Sequence, residues 1–330
     1  MLAISAQTPG GPEVLKLVEL PDPAPGPGEV LVEVAWSGVN FIDTYRRSGI
    51  YKMAFPHVVG SEGAGTILAL GDGVDDLSVG QRVAWSDVPE SYAERVVAPA
   101  GRLVPVPHGI GLDVAAALSL QGLTAHYLAT STYPVRPGDD VLVHAGAGGV
   151  GLLLTQLATI RGGRVISTVS TEEKAELSRA AGAAEVIRYD LLGDLTAELP
   201  RLVREATGGA GVHVVYDGVG RTTFDASLAS LRLRGMLVLF GGSSGQVPPF
   251  DIQRLNAGGS LFLTRPTLGH HVVTTAELRE RAAEVFDLAA SGRLHARIGA
   301  TYPLAEAAEA QRALEGRDTT GKVLLAATSS

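Results

Sequence analysis

One turn constrains this chain more than any other stretch. Residues 140–151 read Asp-Val-Leu-Val-His-Ala-Gly-Ala-Gly-Gly-Val-Gly. A short apolar run (Val141, Leu142, Val143) enters a glycine-rich turn, and a second apolar run follows from Val150 through Leu152, Leu153, Leu154, Leu157 and Ile160. Gly146, Gly148 and Gly151 fit the spacing G-x-G-x-x-G between a strand and a helix. Glycines there permit a tight turn and let the backbone come close to a pyrophosphate. The first helical turn then offers N–H groups to the anion. Glycine-rich turns also arise for structural reasons alone, so the surrounding pattern decides.

From residue 113 onward, helices alternate with strands. Periodicity predicts helices over 113–120 and 124–130, strand 141–145, helix 149–161, strand 164–169 and helix 171–181, which Gly182 is placed to end. Strand 185–189, helix 194–206, strand 212–216, helix 222–231 and strands 236–240 and 260–264 complete the series. Such alternation builds a parallel sheet from βαβ units. The strands are continuous apolar runs, as a sheet covered on both faces requires. Six strands with the glycine turn after the first predict a doubly wound α/β dinucleotide fold.

The flanking segments differ in texture. Residues 29–35 alternate at period two and read as a half-buried strand, with further β-like pieces at 63–70, 81–84 and 92–97. No long amphipathic helix is predicted before about residue 112. Residues 267–330 carry helices at 275–291 and 304–314 and β-like stretches at 293–300 and 322–326. That tail is too short for its own core and is expected to complete the first domain. The expected division is a mostly β domain of residues 1–122 with 267–330, and a dinucleotide-binding domain of residues 123–266.

Composition excludes several chemistries. The 330 residues, 45% of them apolar, suffice for two cores. There is no cysteine, which removes disulfides, thiolate catalysis and Cys-ligated zinc. A net charge of −8 without a long basic run argues against a nucleic-acid partner. No basic segment with an apolar core opens the sequence and no run of 18 apolar residues occurs, so a membrane partner is not expected and a cytoplasmic location is. The eight histidines are scattered and read as structural. His57 and Glu62 are candidate metal ligands without a partner at metal-site spacing, and His270-His271 is at most an adventitious site.

The identity of the nucleotide rests on the end of the second strand of the alternating region. A site for NAD carries Asp or Glu there to hold the ribose 2′-OH. Here the strand ends Thr168-Val169-Ser170-Thr171, with Ser170 near the place of the acid and Lys174 one turn later. A small hydroxyl admits a 2′-phosphate that a carboxylate would repel. Ser170-Thr-Glu-Glu173 also fits a capping box with Ser170 as N-cap, which explains those residues without a ligand. It leaves Lys174 unexplained: a cation in a first helical turn opposes the macrodipole. Only four residues of the chain are lysine against twenty-three arginines. A phosphate nearby reverses the sign of that effect, so NADPH is favoured over NADH. Glu172 is the counter-argument, if its side chain turns toward the ribose. The other contacts are expected at the carboxyl ends of strands, where Tyr189, Asp217-Gly-Val-Gly220, Phe240-Gly-Gly-Ser-Ser-Gly245 and Leu263-Thr-Arg265 stand. Arg317, in the loop before the last strand, is either a solvated surface group or a phosphate ligand.

Seven stretches carry a wider likeness: Gly38-Val-Asn-Phe-Ile-Asp-Thr-Tyr-Arg-Arg-Ser-Gly-Ile-Tyr51, Gly60-Ser-Glu-Gly-Ala-Gly65, Gly122-Leu-Thr-Ala125, His144-Ala-Gly-Ala-Gly-Gly-Val-Gly151, Val215-Tyr-Asp-Gly-Val-Gly220, Phe240-Gly-Gly-Ser-Ser-Gly245 and Thr264-Arg-Pro266. Together they resemble the medium-chain dehydrogenase/reductase superfamily, and within it the NADPH:quinone oxidoreductase (zeta-crystallin-like) family, across essentially the whole chain. The resemblance implies a GroES-like substrate domain, a Rossmann domain and a homodimer. Zinc enzymes of the superfamily hold a catalytic metal with Cys and His. Asn40 and Ser61 fall in those neighbourhoods here, so the zinc-independent branch is implied. Cofactor contacts implied by motif are Asn40, Tyr45, Thr124, the turn Gly146, Gly148, Gly149, Val150 and Gly151, Ser170, Lys174, Tyr189, Phe240, Ser243, Leu263 and Arg317. The family's serine after Tyr-Asp is Gly218 here, which removes one hydrogen bond to the cofactor.

The implied reaction is metal-free hydride transfer from NADPH to a quinone. The cofactor carries the chemistry and the protein orients it. Asn40 and Tyr45 are the candidate donors to a developing oxyanion. An NADPH-dependent enone or alkenal double-bond reductase is the nearest alternative, and an NADPH-binding sensor with little turnover is the alternative of another class.

Overall fold

The structure, a computed structural model, describes residues 1–327. Strands β1 (Leu2–Ala6), β2 (Leu15–Glu19), β3 (Glu29–Val39), β4 (His57–Val58), β5 (Gly63–Leu70), β6 (Arg82–Trp85), β7 (Arg95–Pro99) and β8 (Val104–Pro105) open the chain, with the short helix α1 (Phe41–Arg47) after β3. Helix α2 (Leu112–Tyr127) follows. The alternating region is β9 (Asp140–Val143), α3 (Gly149–Ile160), β10 (Arg164–Val169), α4 (Glu172–Ala180), β11 (Glu185–Arg188), α5 (Leu195–Ala206), β12 (Val212–Asp217), α6 (Phe224–Ala229), β13 (Leu231–Leu239), α7 (Gln253–Ala257) and β14 (Phe262–Thr264). Helix α8 (Thr275–Ala290), β15 (Ile298–Pro303), α9 (Ala307–Glu315) and β16 (Lys322–Ala326) end it. The chain forms two compact units: Met1–Leu123 with the described residues from Val272 onward, and Thr124–His271.

In the first unit β3 is the spine of the larger sheet, ordered β15-β16-β3-β5-β6-β8, with β7 also on β3. Its first half pairs with β7 (Glu29↔Pro99 to Glu33↔Arg95) and its second half with β16 (Trp36↔Ala326 to Val39↔Val323). Period-two alternation explains the burial: Val30, Val32 and Val34 point into a core with Ile67, Val83, Trp85 and Val96. A second core holds Ile4, Val39, Tyr92, Leu304, Val323 and Leu325. The register continues past Val39↔Val323 to set Lys322, the first residue of β16, opposite Asn40, where the chain leaves β3 for α1.

In the second unit six parallel strands run in the order β11-β10-β9-β12-β13-β14. Their carboxyl ends therefore share one edge, and the order reverses between β9 and β12. That reversal is where a doubly wound sheet opens a crevice for a ligand. Leu142, Ile166, Leu199, Val203, Val215 and Leu237 form the core.

Some boundaries differ from the sequence expectation. The two helices expected at 113–120 and 124–130 are one helix, α2, followed by a π-type turn over Leu128–Thr132. Gly122 does not break it, because a side chain there would crowd Val285 and Leu118, and that packing outweighs glycine's weak helix propensity. Strand β13 begins five residues earlier than expected; its register against β12 shifts between Leu231 and Met236, where Arg234 has a φ of 59°. The β-like stretch expected at 293–300 is displaced to Ile298–Pro303.

Candidate functional site

The glycine turn follows β9 at the reversal of strand order. Its three motif glycines have separate reasons. A Cβ on Gly146 would lie 2.8 Å from Ser167 Cβ, so the first glycine lets the turn cross β10. A Cβ on Gly151 would lie 2.2 Å from the Ala145 carbonyl oxygen, so the third lets α3 pack on the turn. Gly148 is the N-cap of α3 with an ordinary φ of −77°. A Cβ there would have one near neighbour, Ala145 O at 3.2 Å. The backbone angle does not demand glycine at 148, and the packing there is tight against a single backbone oxygen rather than prohibitive. The first helical hydrogen bond is Leu152 N–H to Gly148 O, which leaves the N–H groups of Gly149, Val150 and Gly151 outside the helical ladder.

A buried network fixes the turn. Asp217, at the end of β12, accepts from the Val219 and Gly220 N–H groups at 2.8 and 3.0 Å and from the Thr223 hydroxyl. Ser227 donates its one hydroxyl proton to Asp217 at 2.7 Å. Its oxygen must therefore accept from His144 Nε2–H, 2.9 Å away, and His144 Nδ1 then accepts from the Thr168 hydroxyl at 2.9 Å. Burial pushes the imidazole pKa down against the opposing pull of Asp217, which agrees with this neutral tautomer. Residues at the ends of β9, β10 and β12 and on α6 are thus tied together beneath the turn.

The end of β10 corrects one expectation. The N-cap of α4 is Thr171, not Ser170, and Thr171 Oγ1 accepts from Lys174 N–H at 3.2 Å. Ser170 is thereby released from capping. Its hydroxyl lies 3.5 Å from Lys174 Nζ, a loose contact that sets a hydroxyl and an ammonium side by side at the strand end. Glu172 is held by Arg179 Nη1 at 2.7 Å and Arg188 Nη1 at 3.1 Å. The Arg179 hydrogen bond, then the Arg188 one, holds its carboxyl below the usual range.

The remaining strand-end residues share this edge. Tyr189 follows β11 and is half-buried. Phe240 follows β13, and Leu263 lies in β14 opposite Leu237. Arg265 donates to the Phe240 carbonyl at 2.9 Å. Gly218 has a packing reason: a Cβ there would be 2.8 Å from Phe240 Cζ, so the ring takes the space of a side chain. Ser243 N–H donates to Gly218 O at 3.2 Å. Thr124 is half-buried in α2. His271, half of the adventitious pair, stacks on Tyr127 at 4.3 Å.

The first unit holds a second polar cluster, which the sequence revealed only in part. Asn40 is the N-cap of α1 and is 5% exposed. Its Nδ2 donates to Glu62 Oε2 at 2.7 Å and to Gly38 O at 3.3 Å, and its Oδ1 accepts from Lys322 Nζ at 2.8 Å. The ammonium and the carboxylate fix the amide orientation. Lys322 also donates to Glu62, and Leu120 N–H donates to the other oxygen of that carboxylate. Both amide hydrogens of Asn40 are thus engaged within the protein.

Asp43 is fully buried and accepts from Asn40 N–H at 2.9 Å, Tyr92 Oη at 3.0 Å and Ser61 Oγ at 3.1 Å. Burial pushes its carboxyl up to about 6, while the Asn40 and Tyr92 hydrogen bonds and the charges of Lys322 and Arg46 pull the other way. Burial also raises the Tyr92 phenol well above its ordinary value, so it remains a donor. Tyr45, two positions further along α1, is half-buried and packs edge-on against Tyr51 at 5.6 Å. Arg317 is exposed just past α9, with φ of 62°. His57 Nδ1 lies 3.0 Å from Ala54 O. Among the described residues no group of three or more His, Asp or Glu side chains is arranged to hold a metal, and no helix is long and apolar enough to cross a membrane.

Comparison with known proteins places both units. Residues 26–108 match the alcohol dehydrogenase GroES-like domain, and residues 149–291 match the zinc-binding dehydrogenase family. The chain is 44% identical over 318 residues to a quinone oxidoreductase of Pseudomonas aeruginosa, covering 96% of each. It is 42% identical over 324 residues to a 2-haloacrylate reductase of a Burkholderia species, again with 96% of each covered. A mycobacterial protein solved in complex with NADPH superposes with a TM-score of 0.96 at 54% identity, covering 99% of this chain and all (100%) of the other.

Proposed function

The chain belongs to the NADPH:quinone oxidoreductase family of the medium-chain dehydrogenase/reductase superfamily, and on that premise we propose that it reduces a quinone with NADPH and without a metal. The observation that carries the cofactor reading is the pairing of Ser170 with Lys174 at the end of β10, where an NAD site would present an acid. When bound, NADPH supplies the hydride.

The proposed cofactor residues are Asn40, Tyr45, Thr124, Gly146, Gly148, Gly149, Val150, Gly151, Ser170, Lys174, Tyr189, Phe240, Ser243, Leu263 and Arg317. Gly148 allows close approach, and the first N–H groups of α3 meet the pyrophosphate. Ser170 and Lys174 take the 2′-phosphate. Tyr45 Oη is the proposed donor to the acceptor's developing oxyanion, and Asn40 orients α1 through Glu62 and Lys322. A quinone is already electrophilic and asks for little further activation, which suits a site with no dedicated general acid. The GroES-like assignment of residues 1–122 with 267–330 and the Rossmann assignment of 123–266 belong to the same reading. So do a homodimeric state, a cytoplasmic location and the absence of nucleic-acid and membrane partners.

The similarity to a 2-haloacrylate reductase supports a second reading, in which a conjugated carbonyl is the acceptor. An acceptor screen with NADPH, followed at the nicotinamide absorbance, separates the two. Turnover with quinones and none with conjugated enals or acrylates supports the first. The reverse result overturns it, and tight NADPH binding with no turnover on any acceptor means a sensor.

A further inference from the structure

We infer that Arg188 is a determinant of NADPH selectivity, acting by holding the Glu172 carboxylate away from the nucleotide. The inference rests on the NADPH reading above. β10 and β11 pair in parallel with Val169 opposite Arg188, so Arg188 stands beside the residue that precedes Ser170. Its guanidinium is anchored on Asp190 by two bonds, Nε to Oδ1 at 2.7 Å and Nη2 to Oδ2 at 2.6 Å. A forked donor gripped on one side is held in a fixed plane. Its remaining Nη1 reaches Glu172 Oε2 at 3.1 Å, and Arg179 Nη1 takes Oε1 at 2.7 Å.

Glu172 is the first residue of α4, two positions past Ser170 and two before Lys174. It is the carboxylate placed by sequence where it could meet a ribose hydroxyl or repel a 2′-phosphate. In this arrangement both of its oxygens face arginines. Arg179 and Arg188 answer Glu172 and Asp190, so freeing Glu172 from Arg188 weakens the neutralisation of a carboxylate two positions from both Ser170 and Lys174. Glu173, one position on, is turned about 100° around the helix. It is unchanged in every variant at 172 and 188, so its effect cancels from their comparison.

The test is the NADPH/NADH ratio of kcat/KM, with one quinone at low ionic strength, for the parent, Arg188→Ala, Glu172→Ala and the double variant. Arg188→Ala is expected to lower the ratio about three- to fivefold, the scale of an exposed charge interaction. Glu172→Ala alone is expected to raise it, and the double variant to return it to the parental value or above. A loss of fold or of general activity moves both cofactors together and leaves the ratio in place. An unchanged ratio in Arg188→Ala, a lowered one in Glu172→Ala, or a double variant that keeps the Arg188→Ala deficit overturns the inference. A parent with no preference for NADPH overturns the cofactor reading beneath it.

Discussion

Asn40 Nδ2 lies 2.7 Å from Glu62 Oε2, and Asn40 Oδ1 lies 2.8 Å from Lys322 Nζ. With the bond between Lys322 and Glu62 the three side chains close a triangle. Glu62 is 0% and Lys322 1% exposed, so the pair is buried and each charge depends on the other. Lys322→Met is expected to cost about 3–5 kcal/mol, because it strands a buried carboxylate. Lys322→Met with Glu62→Gln should recover most of that loss, because the amide removes the stranded charge and its oxygen still accepts a hydrogen bond there. Urea midpoints measure it, and a double variant no more stable than the single one contradicts the pairing. If Asn40 acts by orientation, Asn40→Ala and Lys322→Met also share one kinetic signature. Their combination should then be no worse than the worse single change.

That triangle was nearly invisible in the sequence, while the parallel sheet was plain. Strands such as Val212–Asp217 announce themselves through local apolar runs, and the glycine turn through local spacing. Lys322 and Glu62 are 260 positions apart, and only the register of β16 on β3 brings them together. The one available hint was the scarcity of lysine, which drew attention to Lys174 and applies equally to Lys322. The cap of α4 was misplaced by one residue for a similar reason. Ser170 and Thr171 are equivalent by chemistry, and where β10 ends decides between them.

Asp43 predicts a pH dependence of stability. Its carboxyl is raised from 3.8 to about 6 in the folded protein. Between those values the folded state holds a proton that the unfolded state has released. Stability from this group is therefore full below pH 3.8 and is lost as pH rises through about 6. The loss is of order 3 kcal/mol at roughly 1.4 kcal/mol per unit. Lys322, Arg46, Tyr92 and Glu62 are the charged and titratable groups that bear on the site. In Asp43→Asn the decline between pH 4.5 and 7 should flatten relative to the parent in urea titrations. Parallel slopes in the two proteins would falsify this assignment.

The glycine turn separates packing from binding. Gly151→Ala drives a Cβ to 2.2 Å from a backbone oxygen, so α3 must move and the fold should suffer by a few kcal/mol. Gly148→Ala meets only Ala145 O at 3.2 Å, so its melting temperature should stay within a few degrees of the parent. NADPH affinity should nevertheless fall at least tenfold, because a methyl group stands where the anion approaches. Calorimetric titration with NADPH checks this, and unchanged affinity in Gly148→Ala removes the anion from that face of the turn.

Lys174 carries the choice of cofactor. It is the third residue of α4, where its charge opposes the helix dipole. Lys174→Ala should reduce kcat/KM for NADPH about 10- to 100-fold, as expected for losing a charge-assisted phosphate contact, and leave NADH nearly untouched. Most of the change should appear in KM, because the phosphate is bound equally in the ground and transition states. Lys174→Arg should keep most of the preference, since charge rather than shape is at issue. The effect should shrink as salt is raised from 0.01 to 0.5 M, over which screening of an exposed pair becomes strong. Equal losses with NADPH and NADH would mean that Lys174 supports the turn rather than the phosphate.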